Sequence, residues 1–201
     1  MKKNHLLDFV RFSMSKTAKI IFGLLLLVGT LYLLLPAPKD FPALPGSVKS
    51  TEPGDTVQIA NVSAYYTDMP REQAVKFYYD YFSRSPFLNI PLPTYKLNHP
   101  PERIREVLRA TQQSSFCEEI VHPLRESVFV NGFEWNNDPF TKPSERVKNI
   151  LIVNGKTYQF KITLYYQESR VWQRLLIYYL TLAAAYLLVI SFKKLLKRTL
   201  N

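Results

Sequence analysis

Cys117, Glu118, Glu119 and His122 form the densest run of chemistry-bearing residues in the sequence. On a helix, Glu119 and His122 would stand three apart. That is the Glu-x-x-His spacing of carboxylate-bridged metal sites, which need two such pairs and further carboxylates. The chain holds only His5, His99 and His122, so a second pair is missing. A structural zinc site would want four Cys or His ligands. On a strand, which the content of 116–121 favours, Glu119 and His122 point to opposite faces. No metal and no cofactor is therefore expected.

A nucleophilic pair of Cys117 with His122 or His99 is the other chemistry these residues suggest. No family signature surrounds the cysteine, and free cysteine is among the most buried residue types. A core cysteine is the expectation, and no catalytic residue is assigned. The chain has 6 glycines and no Gly-rich phosphate loop, and neither G-x-S-x-G nor H-E-x-x-H occurs. Asn61-Val62-Ser63 matches a glycosylation sequon but falls in an expected strand. The 13 Tyr and 13 Phe supply either core bulk or, where exposed, a binding surface.

The elements that must hold these residues divide the chain by charge. Its 201 residues carry 26 Lys and Arg against 16 Asp and Glu. Ten of the basic residues and one acid, Asp8, lie outside residues 37–170. The middle is thus almost neutral, and nucleic-acid binding, which needs a basic patch on the folded part, is not expected.

Ile20 to Leu35 and Leu175 to Phe192 contain no charge and no proline. Apolar residues occupy every face of both runs, which predicts transmembrane helices over 20–37 and 172–192 and not buried core helices. Cleavage of the first as a signal peptide is disfavoured, since Leu35-Pro36-Ala37 lacks the small residues of a cleavage site. Lys2, Lys3, Arg11, Lys16 and Lys19 precede the first span, and Lys193, Lys194, Lys197 and Arg198 follow the second. Basic flanks stay cytoplasmic, so the tails 1–19 and 193–201 are expected inside and the middle outside, in a plasma or inner membrane. Tyr32 and Trp172 suit the membrane interface, with Arg174 snorkelling at its outer edge. Gly23, Gly29, Thr181 and Ala185 are candidate helix-packing positions, the last two at small-xxx-small spacing. Residues 5–14 read as a short amphipathic helix or a frayed tail.

Residues 36–55 carry five prolines and read as a linker or wrapping arm, with the folded unit over 57–170. Strand content over 57–66, a helix over 71–82 capped by Thr67 or Asp68, and a second helix over 101–111 come next. Ala74, Tyr78, Tyr81 and Phe82 form the apolar stripe of the first helix. Strands follow over 116–121 and 125–130. Asn131-Gly132 and Asn154-Gly155 each signal a hairpin turn. The second predicts Val153 opposite Lys156, Leu151 opposite Tyr158 and Val147 opposite Ile162. Tyr158, Phe160, Ile162, Leu164 and Tyr166 fall on a buried face, and Thr157, Gln159, Lys161 and Thr163 on a wet one. The fold class is α+β: two transmembrane helices flanking one extracytoplasmic domain of mainly antiparallel sheet with two helices.

Three functions fit this organisation. The first is a non-catalytic envelope or interaction module with a protein or polymer partner at the membrane. The second is an accessory subunit of a transport or secretion complex, docking or self-associating through its spans. The third is a membrane-bound hydrolase, a reading that gains if His99, Cys117 and His122 converge in one pocket.

Overall fold

The computed structural model describes residues 16–52, 55, 60–100 and 114–199. The expected helices over 5–14 and 101–111 lie outside the described residues. So do Lys2, Lys3 and Arg11, and the side chains of Lys197 and Arg198. Among the described residues there are three α-helices: α1 (Lys16–Leu34), α2 (Arg71–Phe82) and α3 (Val171–Thr199). The eight strands are β1 (Val48–Lys49), β2 (Val62–Thr67), β3 (Tyr95–His99), β4 (Phe116–Val121), β5 (Ser127–Glu134), β6 (Leu151–Val153), β7 (Lys156–Tyr158) and β8 (Phe160–Gln167). The chain divides into two compact units, residues 36–169 and residues 1–35 with 170–201.

The first unit is α+β. Six strands pair antiparallel in the order β1-β2-β8-β5-β4-β3, and β6 with β7 form a separate hairpin. Helix α2 buries Ala74, Val75, Tyr78 and Phe82, one stripe at helical spacing. These meet Ile120, Val128, Val130, Ile162, Leu164 and Tyr166 on one sheet face. Each of the Val, Leu, Ile and Phe side chains among them contributes about 1.5–3 kcal/mol on leaving water. Tyr81, expected in the stripe, instead lies at the rim and donates its hydroxyl to the Asp40 carbonyl at 2.7 Å. The helix cap is Pro70, with no side-chain cap bond. Thr67 and Asp68, the expected caps, accept from the Met69 and Gln159 amides instead.

The proline-rich arm belongs to the fold, so the expected start near Val57 is corrected. Leu44 is in the core, and Phe41 packs its ring against Tyr78, Tyr81, Phe82 and Tyr166. The arm continues as β1, pairing Val48 with Tyr66 and Lys49 with Tyr65. The apolar content of Phe41 and Leu44 outweighs the stiffness of the prolines around them. Of the strand expected over 57–66, residues 57–59 lie outside the described residues, and the strand itself begins at Val62, after Asn61 in a left-handed conformation (φ 65°).

The two Asn-Gly pairs separate. Asn154 and Gly155 have φ of 52° and 75° and turn the β6–β7 hairpin, with Leu151 opposite Tyr158 and Val153 opposite Lys156 as predicted. The hairpin ends there. Val147 lies in a 3-10 segment over Pro143–Asn149, and Ile162 pairs with Gly132 and Tyr65, so the third predicted pair does not form. Asn131-Gly132 makes no turn but lies inside β5. The Phe116 ring covers Gly132 so closely that a Cβ there would overlap it, and Asn131 is buried on the Ser114 hydroxyl. Glycine in a strand serves such an approach.

The expected wet face of β8 is also partly corrected. Thr163 is buried in a row with Cys117, Asn131 and Ala64 across four strands. Lys161 is held at 2.8 Å by Asp55 and at 3.0 Å by Glu52. Burial alone would lower the Lys161 pKa, but those two carboxylates outweigh it and leave it raised; the Lys161 hydrogen bond in turn holds Glu52 below its ordinary value.

In the second unit, α1 and α3 are long and apolar enough to cross a membrane, with mean hydropathy 2.1 and 2.2 and only 6% of each apolar stretch buried. Tyr178 lies over Gly29, where a Cβ would overlap its ring, and donates its hydroxyl to the Leu25 carbonyl at 2.5 Å. Thr30 and Tyr179 share a hydrogen bond at 3.1 Å, and Phe22 meets Tyr186 edge to face.

Gly132→Ala is expected to destabilise the protein by about 1–3 kcal/mol, the usual cost of overpacking. The Phe116 ring lies beneath the Arg71 guanidinium, 4.7 Å from its centroid, which hinders it from swinging away. Chemical unfolding of the detergent-solubilised chain checks this, and Phe116→Leu in the same chain should recover most of the loss.

Candidate functional site

The first turn of α2 brings Arg71 over the outer strands of the sheet. Glu118 of β4 points up beneath it, because β4 alternates Phe116, Glu118 and Ile120 toward the helix. Arg71 meets one Glu118 oxygen through Nη2 at 2.6 Å and Nε at 2.8 Å. Lys96 of β3 approaches the other at 3.1 Å. Glu118 is 4% exposed, so this carboxylate is held between two cations away from water.

Around this trio lies a recess of about 690 Å³ between α2 and β3, lined also by Glu72, Lys76, Tyr79, Asp80 and Tyr95. Among the described residues, β3 is the last strand of the sheet. Its four residues Tyr95–Asn98 are exposed, and an edge strand offers backbone N–H and C=O groups to a further strand. The arrangement is suited to binding an extended, mixed-charge peptide by strand addition, with Lys76, Lys96 and Asp80 at hand for its side chains. Arg71, Lys96 and Glu118 are separated by up to 47 positions, and no spacing rule in the sequence connects them. The only early signal was an acid inside a strand-like apolar run.

The residues singled out for chemistry are placed as follows. His99 and Cys117 are direct cross-strand partners on the sheet face opposite α2. Glu119 shares that face and takes the His99 Nε2 at 2.8 Å. Cys117 is fully buried. His122 lies on the helix side, stacked on Phe82 at 3.9 Å between centroids, with Nε2 donating to the Phe82 carbonyl at 3.0 Å. Its Nδ1 meets Glu126 at 3.2 Å, and Arg125 holds the same carboxylate at 2.9 Å. Glu119 and His122 thus face opposite sides, and the sheet separates His122 from His99 and Cys117. No group of three His, Cys, Asp or Glu side chains able to hold a metal is gathered among the described residues.

Gly29 contacts Tyr178, whereas Gly23 lines a groove of about 470 Å³ between α1 and α3 with Phe22, Ala183 and Tyr186. Thr181 donates its hydroxyl to its own helix at Ile177, and both it and Ala185 are exposed. Trp172 is exposed and Tyr32 half-buried. Arg174 is buried, which a guanidinium tolerates only with polar partners. Lys16, Lys19 and Lys193 are exposed and Lys194 is half-buried.

Two expected outcomes follow from this geometry. Cys117 should resist maleimide in the native protein and react fully in denaturant, as mass spectrometry will read; rapid native labelling would mean that the thiol is open to substrate. Arg71→Ala strands a buried carboxylate with one cation and should cost about 1–3 kcal/mol, part of which Glu118→Gln restores.

No known protein family matches the chain, and neither any curated protein nor any solved structure does so.

Proposed function

We propose that this is a two-pass membrane protein whose domain works outside the cytoplasm as a non-catalytic interaction module. The recess beside edge strand β3 is the observation that carries this reading. It joins an open strand edge to charged side chains on a rigid helix, the combination that captures an extended segment of another protein. Basic flanks at Lys16, Lys19, Lys193 and Lys194 favour both tails inside a plasma or inner membrane. The nucleophile candidates support catalysis poorly, since Cys117 is buried and His122 lies across the sheet from it. A second reading, an accessory subunit docked through its spans, is favoured by Thr181 and Ala185, which α1 leaves uncovered.

Thr157→Cys in a Cys117→Ser chain should react with an impermeant maleimide in intact cells. Labelling only after lysis would overturn the outside placement. A photo-crosslinking residue at Lys76 should capture a protein partner, while one at Asn154, in the distal hairpin turn, should not. Capture from positions in α3 alone would favour the docked subunit, and recovery of the uncrosslinked protein from every position would count against both.

A further inference from the structure

The sheet ends in one row, Tyr95, Val121, Ser127 and Gln167. Everything beyond that row lies at one end of the domain. The loop over 83–94 leads into Tyr95, the turn over 122–126 joins Val121 to Ser127, and Gln167 leads out of the domain. From Gln167 to Val171, where α3 starts, is four residues, at most about 14 Å of extended chain. The entry lies at the same end: the Ser85 hydroxyl donates to the Pro36 carbonyl at 2.7 Å, two residues after α1 stops at Leu34. Lys39 and Glu168, one on each connection, pair at 2.5 Å.

Apolar side chains are exposed at the tips of both loops at this end. Phe87 is 54% exposed, Leu88 77% and Leu124 62%. Leu88 and Leu124 also have φ of 52° and 61°, in the left-handed region that leucine seldom adopts. The loops themselves are braced. Ser83 and Ser85 close the first through the Leu92 and Ile90 backbone, and His122 closes the second through Glu126 and Arg125. Their bases meet in the Phe82–His122 stack. The leucines are thus held outward by a rigid base, and backbone held in a sparse conformation is a pointer to function. Arg84, exposed beside the first loop, adds a cation suited to anionic headgroups.

We infer that Phe87, Leu88 and Leu124 insert into the leaflet from which α1 and α3 emerge, and so fix the domain against the membrane surface. The inference rests on the reading of α1 and α3 as membrane spans. The headgroup layer is about 5–8 Å deep on each side of the hydrocarbon, and connections this short allow the loops to reach it. Docked in this way, the domain keeps its recess beside β3 at a set height above the lipid, within range of partners on the same membrane.

The test places a nitroxide at Leu88→Cys or Leu124→Cys in full-length Cys117→Ser protein, reconstituted in nanodiscs of phosphatidylethanolamine and phosphatidylglycerol. Relaxation by oxygen is compared with relaxation by a water-soluble nickel chelate. Leu187→Cys, in the middle of α3, and Asn154→Cys, in the distal hairpin turn, provide the references. The oxygen-to-nickel ratio at positions 88 and 124 should exceed that at 154 several-fold and approach that at 187. Water-like values at 88 and 124 with a lipid-like value at 187 would overturn the insertion and leave the spans standing. A water-like 187 beside lipid-like 88 and 124 would overturn the spans alone, and water-like values at all three would overturn both.

Discussion

Phe82 ties helix α2 to the sheet twice. Its ring stacks on His122, and its carbonyl takes the His122 proton. Both partners are fully buried, so neither bond can be exchanged for water without opening the core. This contact sets where the helix ends, where the loop over 83–94 starts and how the turn over 122–126 closes on Glu126. It also holds one end of α2, and hence constrains where Arg71 at the other end meets Glu118. The recess at one side of the domain and the loops at its end are positioned by the same helix.

Two of the charged clusters near the candidate residues are built into the packing of the domain. His122 is locked with Glu126 and Arg125, and Glu118 with Arg71 and Lys96. Each centres on a buried carboxylate with an arginine against it, an arrangement that is costly to break and contributes little net stability when intact. Such groups specify one packing of helix on sheet. Cys117 and Thr163 fill the opposite face as small buried side chains. Among the described residues, the surfaces open to a partner include backbone at the β3 edge, charge around the recess and apolar side chains at the loop tips.

Much of the fold was legible because its signals are local. Helix α2 follows from apolar spacing over 71–82, and the β6–β7 turn from one Asn-Gly pair. The candidate recess was not legible. Its three charged residues come from a helix and two strands that meet only when the sheet assembles, and a strand-like pattern around Glu118 does not say which cation will cover it. The arm over 36–52 was hidden for a related reason: its four prolines announce a stiff segment but not that Phe41 and Leu44 have a place in the core.

The sequence by itself determined two apolar helices of membrane-spanning length, an α+β domain between them and the concentration of positive charge in its flanks. Those properties depend on composition and on periodicity within one segment. Tertiary structure decided the rest. Asn154-Gly155 turns because β6 and β7 are free to pair across it. Asn131-Gly132, the same dipeptide, stays extended because β4 and β8 pair with it on both sides and the Phe116 ring needs the space that a side chain would fill. Neighbours distant in the chain fix such outcomes, and they do so through packing and hydrogen bonds that no local pattern records.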